Sequence, residues 1–177
     1  LADNFFRKRI LDLLGVKYIL HQNPTENYDE TLPKDKYRLV WQKIPWQVYE
    51  NKGVLSRFFM IGDYKVYKNK SDVLNGIYNK DIDLKKILLL ESEPEILIDK
   101  TSSGSATLLS YTPNKILFST KSSGNSLLFL SDNYSPQWKA MIDGKESKVI
   151  VANYTFRALA VPKGDHEVEF SYNPKYL

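Results

Sequence analysis

A chain of 177 residues, 42% hydrophobic and 26% charged, can bury a core without staples, and its lack of cysteine excludes disulfides, thiolate catalysis and cysteine-based zinc sites. Net charge is +4, but residues 1–100 carry 17 Lys and Arg against 15 Asp and Glu, and residues 101–177 carry 8 against 6, so each part is only +2. No basic run exceeds Arg7-Lys8-Arg9, so no stripe exists to track a phosphate backbone and nucleic acid is not an expected partner.

Aromatic content is 13%, with 12 tyrosines, and such residues fit the half-buried surface of a sheet. The first element is nevertheless a helix. Asp3 is its expected N-cap, Phe6, Ile10, Leu13 and Leu14 form an apolar stripe, and Gly15 supplies the left-handed residue that ends it. Val16–Leu20 reads as a strand, and the polar segment from His21 to Lys36, with two prolines, as a loop. Short aromatic strands follow at 37–41, 46–50, 57–61 and 64–67, each bounded by Gly, Pro, Asn or Asp. Ser71 is expected to cap a short helix running to about Tyr78, and Ile87–Glu91 reads as a further strand. The longest purely aliphatic run, Ile87-Leu88-Leu89-Leu90, is far below the roughly 20 residues that span a bilayer.

Beyond Glu95 the pattern is strands only: 105–111, 114–120, 126–131, 138–142, 147–152, 156–161 and 166–172. Turn signals recur between them, as in a sandwich. Asp143-Gly144 suits a two-residue hairpin turn in which both residues take positive φ. Glu167, Val168, Glu169 and Phe170 alternate wet and buried. The expected fold is mainly β, α+β overall, with an N-terminal α+β subdomain over 1–95 and a C-terminal antiparallel β-sandwich over 96–177. The tracts Ser102-Ser103-Gly104-Ser105 and Ser122-Ser123-Gly124-Asn125 are alike, which reads as two hairpin turns rather than a repeat.

The inventory for chemistry is short. There are two histidines, His21 and His166, neither in a motif with a second metal-ligating group. Glu91, Glu93 and Glu95, and likewise Asp81 and Asp83, read as solvated rims rather than converging acid–base pairs. No nucleophile elbow, phosphate loop or dinucleotide glycine pattern occurs, so no catalytic residue, metal or cofactor is expected. The aromatics are the remaining signal. Trp41, Trp46 and Trp138 could stack on the apolar face of a sugar, and Tyr134, Trp138, Asp132, Asn133 and Arg157 form a candidate carbohydrate-binding set at one end of the sandwich. The competing assignment is core packing, the usual place of tryptophan in such folds.

Several stretches in order resemble the C-terminal region of the YfhO-type bacterial membrane protein family. They are Leu13–Leu20, Val48–Asn51 with Leu55–Phe59, Leu127–Ala140, Ile142–Lys145, Asn153, Phe156-Arg157, Val161–Val168 and Tyr172-Asn173-Pro174. The family commonly has Pro-Gly-Trp where this chain reads Pro136-Gln137-Trp138, so the backbone before Trp138 is expected to avoid positive φ. The resemblance implies large multi-spanning proteins related to GT-C-type glycosyltransferases, with the catalytic acids in a membrane part. This chain would then be a soluble accessory domain on the extracytoplasmic face, non-catalytic by itself. Its expected partners are the transmembrane part of its own parent chain and a cell-envelope glycan. Both ends look cut from such a parent, because the chain opens inside a helix and stops just after a strand. The alternative is a free-standing carbohydrate-binding sandwich module.

Overall fold

The computed structural model describes residues 5–22 and 32–174, with side chains from Lys8 onward. The expected Asp3 cap, the Phe6 side chain and most of the polar loop lie outside these residues. Two compact units divide the chain, Leu1–Ser56 and Arg57–Leu177.

The first unit contains α1 (Phe5–Leu13), β1 (Tyr18–Gln22), β2 (Tyr37–Lys43) and β3 (Trp46–Asn51), the strands pairing in the order β1-β3-β2. Gly15 ends α1 at φ +70. Its N–H donates to the Asp12 carbonyl at 3.1 Å and the Val16 N–H to that of Leu11 at 3.0 Å, which satisfies carbonyls that a helix end otherwise leaves open. The Asp12 side chain then ties helix to sheet. It accepts from Lys36 Nζ at 2.6 Å and from Asn51 Nδ2 at 2.8 Å. Asn51 is 1% exposed, so its amide is tolerable only because it also donates to the Val16 carbonyl and accepts from the Gly53 N–H.

The second unit begins with β4 (Phe58–Ile61), β5 (Tyr64–Val66), α2 (Lys70–Tyr78) and β6 (Leu88–Leu90). It continues through β7 (Gly104–Thr112), β8 (Lys115–Ser122), β9 (Ser126–Leu130), β10 (Trp138–Ile142) and β11 (Lys145–Ser147). It closes with β12 (Val149–Ala152), β13 (Phe156–Val161) and β14 (Gly164–Tyr172). A five-stranded sheet, β11-β10-β14-β8-β7, faces a six-stranded one, β4-β9-β13-β12-β6-β5. All pairings are antiparallel except β5 with β6, which α2 connects as a crossover. The chain is therefore mainly β, with a β-sandwich as expected.

Between the sheets, Ile116, Phe118, Ala140, Val168 and Phe170 meet Leu128, Leu130, Leu159 and Val161, each at most 1% exposed. Burying each of the larger side chains stabilises the fold by about 1.5–3 kcal/mol. The six-stranded sheet is also covered on its outer side, where Val73 and Ile77 of α2 are buried and Gly76 lies against Leu89. That second cover explains why β9 and β6 read as continuous apolar runs instead of alternating.

Four details differ from the sequence reading. The segment 57–95, expected with the N-terminal subdomain, lies in the second compact unit and supplies β4, β5 and β6 to its sheet. The N-cap of α2 is Asn69 rather than Ser71, because Asn69 Oδ1 is the acceptor within reach of the Asp72 N–H, at 2.9 Å. The single strand expected over 147–152 is two, since β11 pairs with β10 in one sheet and β12 with β13 in the other. The first strand runs Tyr18–Gln22 rather than 16–20 because Val16 is used by the helix cap. The two serine tracts meet at adjacent ends of β7 and β8, where Ser123 N–H donates to the Ser103 carbonyl and Ser122, Ser126 and Ser102 hydroxyls form a chain.

Candidate functional site

One end of the sandwich is plugged by a cation. Arg157 lies on β13 in line with Leu159 and Val161, so its side chain enters the space between the sheets, where it is 1% exposed. Its guanidinium sits 4.0 Å from the Trp138 ring centroid and 5.5 Å from that of Phe170, both on the opposite sheet. Cation–π contact with a desolvated guanidinium is worth about 2 kcal/mol.

Asp132, just past the end of β9, supplies the counter-charge. Arg157 Nη2 donates to Asp132 Oδ2 at 3.1 Å. Arg57 donates to Asp132 Oδ1 from Nε at 3.0 Å and Nη2 at 2.8 Å, and the Tyr111 hydroxyl donates to Oδ2 at 3.2 Å. Arg57 also lies over the Tyr111 ring, 4.3 Å from its centroid. Burial, with a smaller contribution from the nearby Arg57, lowers the Arg157 pKa to about 10 against the opposing pull of Asp132 and Tyr111. For Arg57, burial lowers the pKa, but its hydrogen bonds to Asp132 and the charge of that carboxylate leave it raised above the ordinary arginine value. Arg157 Nη1 is buried with no hydrogen-bond partner, so the site holds a charge at a cost.

Beside this plug is an open cleft of about 460 Å³. Tyr134, Pro136 and Trp138 form its aromatic and apolar side, and Lys139, Glu146, Ser147 and Lys148 its polar side, with Glu95 at the margin. Lys139 Nζ and Glu146 Oε1 are 3.2 Å apart, and the Lys148 N–H reaches Glu95 Oε2 at 3.5 Å. Aromatic carbon flanked by carboxylates, ammonium groups and a hydroxyl is chemistry suited to a polyhydroxylated ligand. Among the described residues, no three His, Asp or Glu side chains gather as a metal site would need.

Of the five residues singled out in the sequence, Asp132, Trp138 and Arg157 are joined directly. Asn133 Oδ1 accepts from the Thr155 hydroxyl at 3.4 Å, and the Tyr134 N–H donates to the Thr155 carbonyl at 2.7 Å. They divide by role, however. Tyr134 and Trp138 line the cleft, whereas Arg157 is enclosed and Asp132 is occupied by two arginines and a tyrosine. Gln137 is not among the described non-glycine residues with positive φ, in accord with the expectation from its replacement of glycine. Arg57, Tyr111, Glu95 and Glu146 were not legible as site residues, since only the fold brings them there.

Residues 95–177 match the family model described as bacterial membrane protein YfhO. The matched region includes the cleft, Asp132 and Arg157, and it begins at Glu95 on the cleft margin. The chain is also 29% identical over 98 residues to a protein of Bacillus subtilis (strain 168) described as uncharacterized protein YfhO. That alignment covers 54% of this chain and 11% of the Bacillus protein, so the chain spans about a tenth of that relative's length. No solved structure matches. The matched family is described as one of bacterial membrane proteins, and no helix among the described residues of this chain is long and apolar enough to cross a membrane.

Proposed function

We propose that the sandwich is a non-catalytic accessory domain on the extracytoplasmic face of a multi-spanning, glycosyltransferase-like membrane protein, and that it holds a cell-envelope glycan in the Tyr134–Trp138 cleft. The observation that carries the reading is the pairing of two partly exposed aromatic rings with Glu146, Lys139 and Ser147 in one open cleft of about 460 Å³. A volume in this range accommodates a small ligand. An aromatic ring takes the apolar face of a sugar while the polar side takes its hydroxyls. The buried Arg157 behind Trp138 fixes the indole, so the platform is held in place before a ligand arrives.

Two measurements test this. Calorimetric titration of the chain with envelope oligosaccharides is expected to show saturable binding that Tyr134→Ala with Glu146→Gln reduces at least about tenfold, a loss of about 1.4 kcal/mol. Unchanged binding in that variant, with a native circular dichroism spectrum, refutes the cleft. For orientation, a probe can be placed at Leu97, which is 86% exposed, with labelling of the unsubstituted full-length protein as the baseline. Leu97→Cys in the full-length parent should react with a membrane-impermeant maleimide on intact cells, and protection until lysis refutes the extracytoplasmic placement.

A further inference from the structure

The first unit presents an inverted sheet. In an ordinary one-sided sheet the exposed face is polar. Here the register places Tyr18, Leu20 and Gln22 of β1 beside Glu50, Val48 and Trp46 of β3, and those beside Arg38, Trp41 and Lys43 of β2, all on one face. Tyr18, Leu20, Trp41 and Trp46 are 40–62% exposed, and Ile44 in the β2–β3 turn is 56% exposed. The opposite face buries Tyr37 and Tyr49 together with the polar Gln47 and Asn51. With aromatic side chains offering about 150–250 Å² each, the exposed apolar area is on the order of 500 Å², at the upper end of what a monomer shows.

Among the described residues, the charges on this face have one sign to spare. Glu50 is taken by Arg38, at 2.5 Å, whereas Lys43 closes one margin and Lys17 extends over the Tyr18 ring at the other, 5.4 Å from its centroid. Tryptophan and tyrosine settle at the level of lipid headgroups, and lysines beside them favour anionic lipid. A second copy would bring the same positive margin, and the core of a protein–protein contact is depleted of lysine. We infer that the Tyr18–Leu20–Trp41–Trp46 face docks onto the interfacial layer of an anionic bilayer. The inference does not rest on the glycan reading, because it concerns residues of the first unit alone.

The test is cosedimentation of the 177-residue chain with phosphatidylcholine vesicles and with vesicles in which about one lipid in three is phosphatidylglycerol. Partitioning onto the anionic vesicles is expected to exceed that onto the neutral ones at least about tenfold and to fall with added salt. Trp41→Ser with Trp46→Ser should abolish it. Lys17→Gln with Lys43→Gln, which leaves the apolar face intact, should erase the preference for anionic lipid, and this second variant keeps the test valid if the first is unfolded. Absence of binding to either vesicle overturns the inference, as does binding that both variants retain. Concentration-dependent dimerisation lost in the tryptophan variant, without vesicle binding, overturns it in favour of a second copy.

Discussion

Asp132→Ala should be among the most damaging single substitutions at the sandwich end, although its side chain is not in the core. Burial already lowers the Arg157 pKa from its ordinary value to about 10 even with the carboxylate in place, so the charged form is disfavoured before any partner is removed. Removing Asp132 leaves a guanidinium at 1% exposure with the 3.4 Å contact from Nε to the residue-132 carbonyl and the Trp138 and Phe170 rings as its remaining support. Orphaning one member of a buried pair costs about 3–5 kcal/mol, and these surviving contacts place this case near 3. Arg57→Ala removes only a half-exposed partner of the same carboxylate and should cost less than about 1 kcal/mol. Arg157→Met falls between them, because it deletes the buried charge while Arg57 still holds Asp132. Urea unfolding monitored by tryptophan fluorescence reads all three. With a slope near 2 kcal/mol/M, Asp132→Ala should lower the midpoint by about 1.5 M. Equal midpoints for Asp132→Ala and Arg57→Ala would refute the reasoning, because the buried guanidinium would then need no counter-charge.

His166 gives a pH signature. Its Nδ1 faces Asp143 Oδ2 at 2.6 Å and its Nε2 faces the Lys163 carbonyl at 3.2 Å, two acceptors that only the doubly protonated ring satisfies together. The Asp143 hydrogen bond raises its pKa, so the stabilisation is fully present below the unfolded value of 6.5 and is lost as pH rises through the raised folded value. NMR titration of Asp143→Asn should return the His166 pKa towards 6.5, and an unchanged titration would exclude the pairing. Asn153→Ala should cost about 2–3 kcal/mol, because Asn153 is buried at φ +47 and its Oδ1 accepts the Leu89 N–H at 3.0 Å. Asn153→Gly, which removes the acceptor but tolerates the φ, should cost less by thermal melting, and equal losses would show that φ is immaterial. Gly62→Ala should destabilise by about 1–3 kcal/mol, since a Cβ there would lie 2.5 Å from the Asp99 carbonyl oxygen. A neutral outcome in the same melt would show that the Asp99 loop yields freely.

Features governed by a few neighbouring residues were legible in the sequence. Gly15 and Asp143-Gly144 adopt the positive φ expected of them because those turns depend on the local chain alone. The strands from Gly104 to Tyr172 were legible for the same reason, since alternation and turn residues repeat along them. What was hidden is what the opposite sheet decides. Nothing local at Lys148 announces that the chain leaves one sheet for the other. Arginine is ordinarily exposed, so Arg157 read as a ligand-facing group, and its burial follows from Trp138 and Asp132 arriving from other strands. Arg57 lies 75 residues from Asp132, a separation no motif bridges. Residue type alone, aromatic rings with polar neighbours, gathered Asp132, Trp138 and Arg157 into one candidate set, but it carried no information on which of them line the cleft.

The register of β9 has a practical consequence for anyone cutting this protein. β9 is flanked by β13 on one side and by β4 on the other, and Phe58, Phe59, Met60 and Ile61 pair with Leu130, Phe129, Leu128 and Leu127. A clone that starts where family similarity starts, at residue 95, discards β4, β5, β6 and α2 together. Ser126–Leu130, wholly buried in the intact chain, becomes an open apolar edge free to recruit a strand from another molecule. Such a clone should accumulate in inclusion bodies, whereas one starting near Arg57 keeps β9 paired on both sides. Sequence similarity marks where descent is recognisable, and β4 marks where the sheet is complete.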